Sequence, residues 1–357
     1  MENSLNIPAG ASVAVALSGG IDSLMAANEL VKRGYGVFGL HARFIDSPGY
    51  DQRILALKKA CDFMGVPLHV EDLRENFKAE VVEPFIASYA RGLTPNPCAL
   101  CNPRLKFGLL LDAAMRLGAG RIATGHYART GRWMAPSGQD FATIYPARDK
   151  SKDQAYFLAL VPGERLQKAV FPLFDRSKAE LRAEAAQMGL PLPEPKESQE
   201  ICFVPDDDYR AFLKNREVRL PGAGAVCLAD GREIGRHAGL WQYTEGQRRG
   251  LGIAWAEPLY VVRKNMEDNV LVVGPGSELK SGGCRFGGLN LLVPFEFWPE
   301  EVFARVRYRQ ALVAARVRMC GEFAEMEFST PQDPPAKGQL AVIYHPEGFI
   351  LGGGIIC

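Results

Sequence analysis

The sequence has no run of about 18 consecutive apolar residues, the length a helix needs to span a bilayer. Its first residues, MENSLNIPAGASVAVALSGG, also lack the cationic and apolar regions of a secretory signal. These two absences predict a cytoplasmic protein with no membrane partner. Net charge is scarce too: 42 Lys and Arg against 41 Asp and Glu leave +1. Whole-molecule charge therefore announces no nucleic-acid partner, and a phosphate-binding face has to come from local excess. Histidine is limited to five residues, and Cys98-Ala-Leu-Cys101 is followed by no second Cys-x-x-Cys, which argues against a zinc ribbon. Repeats and low-complexity tracts are missing, which removes solenoids and disordered tails.

What is present suits a multidomain enzyme: 357 residues, 47% hydrophobic and 23% charged. The first 130 residues alternate strand and helix patterns. Strands are expected at Val13–Leu17, Val37–Ala42, Leu68–Val70 and Arg121–Thr124, and helices at Asp22–Arg33, Gln52–Met64 and Leu105–Leu117. Such alternation predicts an α/β doubly wound parallel sheet. A helical stretch near 162–190 ends at Pro191, Pro193 and Pro195, after which short glycine-rich strands take over. The expected division is 1–206 for the sheet domain with that helical stretch, then two small β-rich domains at 207–277 and 278–357, the last barrel-like.

At the end of the first strand stands Ser18-Gly19-Gly20-Ile21-Asp22-Ser23, leading into a helix. Glycines let the backbone pass close to an anion while free N–H groups of the helix start point at it. The Gly-Lys-Ser/Thr end of the Walker loop and the three spaced glycines of the dinucleotide fold are both absent. The hexapeptide resembles the pyrophosphatase-type loop of enzymes that cleave ATP between the α and β phosphates; a plain capped turn is the bland alternative.

Thr94-Pro-Asn-Pro-Cys98-Ala-Leu-Cys101-Asn102 places two thiols just before a helix, whose dipole is expected to lower their pKa. Cys202, in Ser198-Gln-Glu-Ile-Cys202-Phe203, sits in an expected loop that can carry a third thiol toward them. Simple packing, covalent sulfur transfer and a three-thiolate iron–sulfur cluster are the readings these residues leave open. Cys61, Cys227, Cys284, Cys320 and Cys357 have no partner at ligand spacing and read as packing or surface residues. On an expected strand, Arg305, Arg307 and Arg309 share one face, and Arg316 with Arg318 repeats the pattern. With Arg248, Arg249, Lys150 and Lys152 they offer positive charge for RNA, against the bland reading of a solvated face. A lone His126 equally well satisfies backbone, and Phe107, Tyr127 and Trp133 read as core.

The segments SGGIDS, TPNPCALCN, ATGHYAR, KDQAYFL, ICFVPDDDYRAFL, GQRRGLGI, RYRQ and GGGII occur in the order seen in the tRNA-specific 2-thiouridylases. Over essentially its whole length the chain resembles that family, of the PP-loop, adenine nucleotide alpha hydrolase-like class. The resemblance implies a tRNA uridine 2-sulfurtransferase that adenylates the wobble uridine at position 34 on O2 and then replaces that oxygen with sulfur. It implies Cys101 as nucleophile and Cys202 as persulfide carrier, pairing as a disulfide in turnover. It implies ATP, with Mg2+, at Ala16, Leu17, Ser18, Gly19, Gly20, Ile21, Asp22, Ser23, Ala42 and Gly125. Transfer RNA contacts fall on His126, Lys152, Asp153, Gln154, Arg307, Tyr308 and Gln339, with the target base against Asn96, Pro97 and Cys98. The sulfur comes from a cysteine desulfurase, a sulfur-relay protein or free sulfide. Two departures stand out: Cys98 replaces an Asp common in the family, which makes Cys98, Cys101 and Cys202 candidate ligands of a [4Fe-4S] cluster, and the segment after Ala42 differs. A ligase or amidotransferase using the same loop is the rival reading.

Overall fold

A computed structural model describes Leu5, Ile7, Pro8 and residues 10–192, 201–216 and 218–357. Pro193, Pro195 and the Ser198-Gln-Glu part of the cysteine motif lie outside these residues. The alternating pattern becomes β1 (Ser12–Ala16), α1 (Ile21–Lys32), β2 (Gly36–Arg43), α2 (Tyr50–Phe63), β3 (Leu68–Asp72), α3 (Arg74–Phe77), α4 (Glu83–Ala90), α5 (Pro97–Cys101), α6 (Leu110–Arg116) and β4 (Arg121–Ala123). A hairpin of β5 (Ala128–Met134) and β6 (Asp140–Pro146) follows, then α7 (Gly163–Leu166), β7 (Ala169–Val170), α8 (Lys178–Gln187) and α9 (Tyr209–Lys214). The main sheet is parallel throughout in the order β3-β2-β1-β4-β7. Val13, Ala14 and Val15 in its central strand are wholly buried, as a strand covered on both faces must be. The order reverses between β1 and β4, and a crevice opens there at the carboxyl ends of the strands.

Helix α1 stops where Gly34 turns to φ +78°, a conformation costly for other residues. It is clipped to α8 by Arg176, which bonds Glu29 at 2.8 Å and Glu184 at 2.5 Å, and Ser177 caps α8 in a reciprocal box with Glu180. Two expectations need correction. The stretch 162–190 is not one helical run, because the apolar pair Ala169–Val170 joins the sheet as its edge strand beside β4. The helix expected from Leu105 begins earlier, at Pro97. It passes through a π-helical stretch, Asn102–Leu109, where Pro103 has no N–H to give to the preceding turn, and straightens into α6 after Gly108. Both Cys98 and Cys101 therefore lie inside the helix.

Beyond α9, β8 (Gly224–Cys227), β9 (Glu233–His237), β10 (Leu259–Asn265) and β11 (Val270–Pro275) form a sheet in the order β10-β11-β8-β9. The last unit comprises β12 (Ser281–Leu291), β13 (Val302–Arg305), β14 (Val313–Cys320), β15 (Phe323–Gln332), β16 (Leu340–Tyr344) and β17 (Ile350–Ile356). These close into a barrel, β12 pairing with both β15 and β17, so no strand edge is left open. The β5–β6 hairpin lies against it: Trp133 and Tyr145 each pack on Phe349, with ring centroids 5.6 and 5.5 Å apart. Trp133 and the fully buried Phe107 are thus packing residues, as expected. No helix among the described residues is long and apolar enough to cross a membrane.

Candidate active site

The loop after β1 is shaped by its own hydroxyls. Ser23 Oγ donates to the Gly20 carbonyl at 2.8 Å and accepts from the Ser18 amide at 3.2 Å, while Ser18 Oγ accepts from the Gly20 amide at 3.3 Å. The amides of Gly19, Ile21 and Asp22 are left without an intramolecular acceptor among the described residues, an anion-binding start to α1. Asp22 is held from two sides: the Tyr127 hydroxyl donates to Oδ1 at 2.9 Å and Lys178 Nζ to Oδ2 at 3.0 Å. Tyr127 is buried as a core residue should be, but its hydroxyl serves the loop.

Above this loop opens a cavity of about 400 Å³, a size suited to a nucleotide. Ala16, Leu17, Ser18, Asp22, Ser23, Ala42 and Gly125 line it, and Gly19, Gly20 and Ile21 form the turn beside them. His126, Gln154 and Cys202 are on the same wall. Sequence reasoning missed His41, Arg43, Tyr50, Arg53, Lys106 and Thr124, which also line the cavity. For Lys106 a signal existed: a cation set between apolar Leu105 and Phe107, five positions after Cys101. His41, Arg43 and Arg53 reach the cavity only because β2 and α2 frame its mouth.

His126 stands between Thr124 Oγ1, 2.7 Å from Nδ1, and Lys106 Nζ, 3.3 Å from Nε2. An ammonium only donates, so Nε2 accepts and Nδ1 carries the proton. Burial, and then the Lys106 charge, hold its pKa well below the usual 6.5. His41, whose Nδ1 donates to the Leu17 carbonyl at 2.7 Å, is also lowered by burial. The unfolded chain takes up protons near pH 6.5 that these folded sites refuse, so stability falls as pH drops below that value. The loss grows as pH is taken further below 6.5. Urea denaturation between pH 5 and 7 should show this decline, and His126→Gln should flatten it; an equally steep curve for the variant would contradict the assignment.

The helix-dipole expectation for the thiols is not met at Cys101. It closes α5 among Phe77, Phe85 and Leu105, and burial pushes its thiol up to about 12 despite the nearby Lys106 charge. Asn102, also buried, anchors this end by donating to the Phe157 carbonyl at 2.8 Å. Cys98 is exposed, one turn earlier. Cys202 is exposed toward the cavity yet surrounded by protein, which raises its thiol pKa. Rather than swinging freely it is fixed by its neighbour Phe203, which packs edge-on to Phe77 at 5.6 Å and Phe85 at 5.1 Å. A thiol at pKa 12 is about a thousandfold less ionised at pH 8 than an ordinary one. Iodoacetamide should accordingly label exposed Cys98 and Cys357 first, with Cys101 about a thousandfold slower than an exposed thiol, as peptide mapping would show; equal rates would refute the burial argument.

The three thiols are near enough for charge on one to raise another's pKa. Even so, no three His, Cys, Asp or Glu side chains among the described residues stand together at metal-ligand spacing. As placed, Cys98, Cys101 and Cys202 do not form the three-thiolate donor set that the [4Fe-4S] expectation needs. All eight cysteines are free.

The arginine stripe also resolves differently. Strand β13 ends at Arg305, and the chain then turns, with Gln310 N–H bonding the Arg307 carbonyl at 3.1 Å. Arg305 faces buried Asp153 at 3.9 Å, Arg307 donates to the Glu245 and Pro334 carbonyls at 2.8 and 3.0 Å, and Arg309 is exposed. Arg316 and Arg318 pair with Glu300 and Glu325. Asp153 accepts from the Ala147 and Ala155 amides and has its pKa raised by burial. Gln154 accepts from the Tyr127 amide, Tyr308 packs on Phe157 with centroids 4.5 Å apart, and Gln339 donates to the Thr94 carbonyl at 3.2 Å. Lys152, Arg248 and Arg249 remain exposed. Asn96 and Pro97 open α5 beside Cys98, and α5 does not bring them onto the cavity wall.

A parallel sheet with a serine-glycine anion loop at its switch point, followed by two β units, defines an ATP-cleaving HUP-type enzyme. Family models match in the same order: the tRNA methyl transferase HUP domain over residues 11–206, the tRNA methyl transferase PRC-barrel domain over 210–275 and the Aminomethyltransferase beta-barrel domain over 282–356. The chain is 54% identical over 348 residues to the tRNA-specific 2-thiouridylase MnmA of Nitratidesulfovibrio vulgaris strain DP4, covering 97% of this chain and 98% of that one. Its counterpart in Lawsonia intracellularis is 46% identical, with 97% and 99% covered. The solved U34-tRNA thiolase NcsA of Methanococcus maripaludis, with its [4Fe-4S] cluster, overlaps 57% of this chain and 64% of its own at 19% identity and a TM-score of 0.34. That partial overlap bears on neither sulfur carrier nor substrate. The chain belongs to the tRNA-specific 2-thiouridylase family.

Proposed function

We propose that the protein thiolates uridine 34 of tRNA at C2, at the expense of ATP and through a persulfide on Cys202. One observation carries this reading: the anion loop at Ser18–Ser23 and the Cys202 thiol belong to the same cavity. ATP, taken as its magnesium salt, lies with its phosphates on the free amides of the loop. The uridine O2 attacks the α phosphorus, and pyrophosphate leaves. The terminal sulfur of the Cys202 persulfide then attacks C2 and expels AMP, which carries off the former O2. Cys101 gives up its proton and attacks Cys202 Sγ, which releases the thiocarbonyl on the RNA and leaves a Cys101–Cys202 disulfide. A dithiol reductant resets the pair.

The donor follows from electron balance. A sulfane sulfur from a cysteine desulfurase or a sulfur-relay protein loads Cys202 directly, whereas free sulfide would need a two-electron oxidant as well. Transfer RNA is read as approaching across exposed Lys152, Arg248, Arg249 and Arg309, with the target base near Asn96, Pro97 and Cys98. His126, Asp153, Gln154, Arg307 and Tyr308 shape this approach through the contacts they make. The test is stoichiometry with tRNA, ATP and a persulfide donor. One AMP and one pyrophosphate should appear per 2-thiouridine recovered from digested tRNA. AMP formed with an amine product and no thiouridine would favour the ligase or amidotransferase reading.

A further inference from the structure

The loop that leads into α5 is capped onto α4 at its start and held by the two β units at Thr94. All three polar groups of Thr94 are committed to residues remote in sequence. Its amide donates to the Lys337 carbonyl at 2.8 Å, its carbonyl accepts from Gln339 Nε2 at 3.2 Å, and its hydroxyl meets that of Thr244 at 3.1 Å. Gly338 permits this approach, since a Cβ there would stand 3.0 Å from the Thr94 carbonyl oxygen. Gly92, at φ +71°, lies directly against the Met266 side chain of the central unit. The grips on Thr94 are themselves braced together: Arg307 of the barrel bonds the carbonyl of Glu245, next to Thr244, and that of Pro334. Two residues beyond Thr94, Asn96 begins α5, whose far end is pinned by the Asn102–Phe157 bond. The short helix carrying Cys98 and Cys101 is thus fixed at one end by the sheet domain and at the other by the β units.

We propose that Gln339 is a positioning residue which, through Thr94, sets the placement of the resolving thiol Cys101. The inference rests on the reading of Cys101 given above. Its physical basis is that a half-buried carbonyl losing its donor pulls the loop toward water, and α5 then frays from Asn96 toward Cys101. A direct role of Gln339 on RNA predicts something else, an effect on RNA affinity alone.

The test uses the full-length protein with Gln339→Met and, separately, Thr94→Val, which removes the hydroxyl facing Thr244 and keeps the shape. Alkylation of Cys101 without RNA is read by peptide mapping against two internal references, exposed Cys202 and core Cys61. Each variant should speed Cys101 labelling about fivefold over both references, the equivalent of one lost hydrogen bond. Each should also lower kcat for thiolation while KM for tRNA stays within about twofold. An unchanged Cys101 rate with a raised KM would overturn the proposal in favour of an RNA contact. An equal rise at Cys61 would overturn it in favour of general loosening. Sustained multiple turnover by Cys101→Ser would sink the resolving role while leaving the alkylation comparison readable, so the two failures are distinct.

Discussion

Cys202→Ser should still release pyrophosphate from ATP in the presence of tRNA, leaving the AMP moiety on the uridine, and should lose 2-thiouridine formation by at least about a thousandfold. The separation is expected because the anion loop and Cys202 occupy different parts of the cavity wall, and no hydrogen bond joins Cys202 to Ser18, Asp22 or Ser23. A serine hydroxyl keeps the wall intact but carries no sulfane sulfur. Cys101→Ser should fail at a later step. Sulfur attack and AMP release go ahead, yet the RNA stays joined to Cys202 through a disulfide, and a gel should show a protein–RNA adduct that dithiothreitol dissolves. The buried, protonated state of Cys101 suits this order, since a permanently ionised thiolate beside the persulfide would discharge it before RNA arrived. Full thiolation by Cys202→Ser, or a double variant that behaves no differently from Cys101→Ser alone, would refute the assignment of roles.

How much of this was legible in the sequence depends on how local the cause is. Ser18–Ser23 could be read because strand, glycine turn and helix start are contiguous, and the hydroxyls that shape the loop lie within five residues of one another. The parallel sheet followed for the same reason, from apolar strands spaced by helices. The pKa of Cys101 could not be read: local sequence offers a helix start, but its surroundings come from Phe77 and Phe85 earlier in the chain and Phe203 a hundred residues later. Arg305, Arg307 and Arg309 look like a charged face only if the strand continues; it stops at Arg305, and Arg307 is spent on carbonyls of the central unit and of the barrel's own chain. The cationic mouth of the cavity, with Arg43, Tyr50 and Arg53, is assembled by β2 and α2 from residues that no motif marks. The Arg43 guanidinium lies over the Tyr50 ring, 4.2 Å from its centroid, a contact no spacing rule announces. The β5–β6 hairpin escaped notice because its apolar side faces a barrel formed 150 residues later.

Gly125→Ala should raise the KM for ATP about a hundredfold while the protein stays folded. A Cβ on Gly125 would stand 2.8 Å from both the Asp22 carbonyl carbon and the Ser23 nitrogen, and 2.9 Å from the Asp22 carbonyl oxygen. All three are backbone atoms, so no rotamer change relieves the contact. Either the loop after β4 retreats or the first turn of α1 does. The first turn carries the amides of the anion loop, and it is held on its far side by Tyr127 and Lys178 on Asp22 and, further along, by Arg176 on Glu29. Strain is therefore taken up as a displacement of a few tenths of an ångström to an ångström at the phosphate site, and misplacement on that scale costs about a hundredfold in rate or binding. Overpacking should also cost about 1–3 kcal/mol of stability, visible as a lower melting temperature. Gly163→Ala is the matching control: a Cβ there meets nothing within 4 Å, and neither stability nor KM should move. If Gly125→Ala lost stability but kept its ATP KM, the loop after β4 would be the part that yields, and the transfer of strain to the first turn of α1 would be refuted.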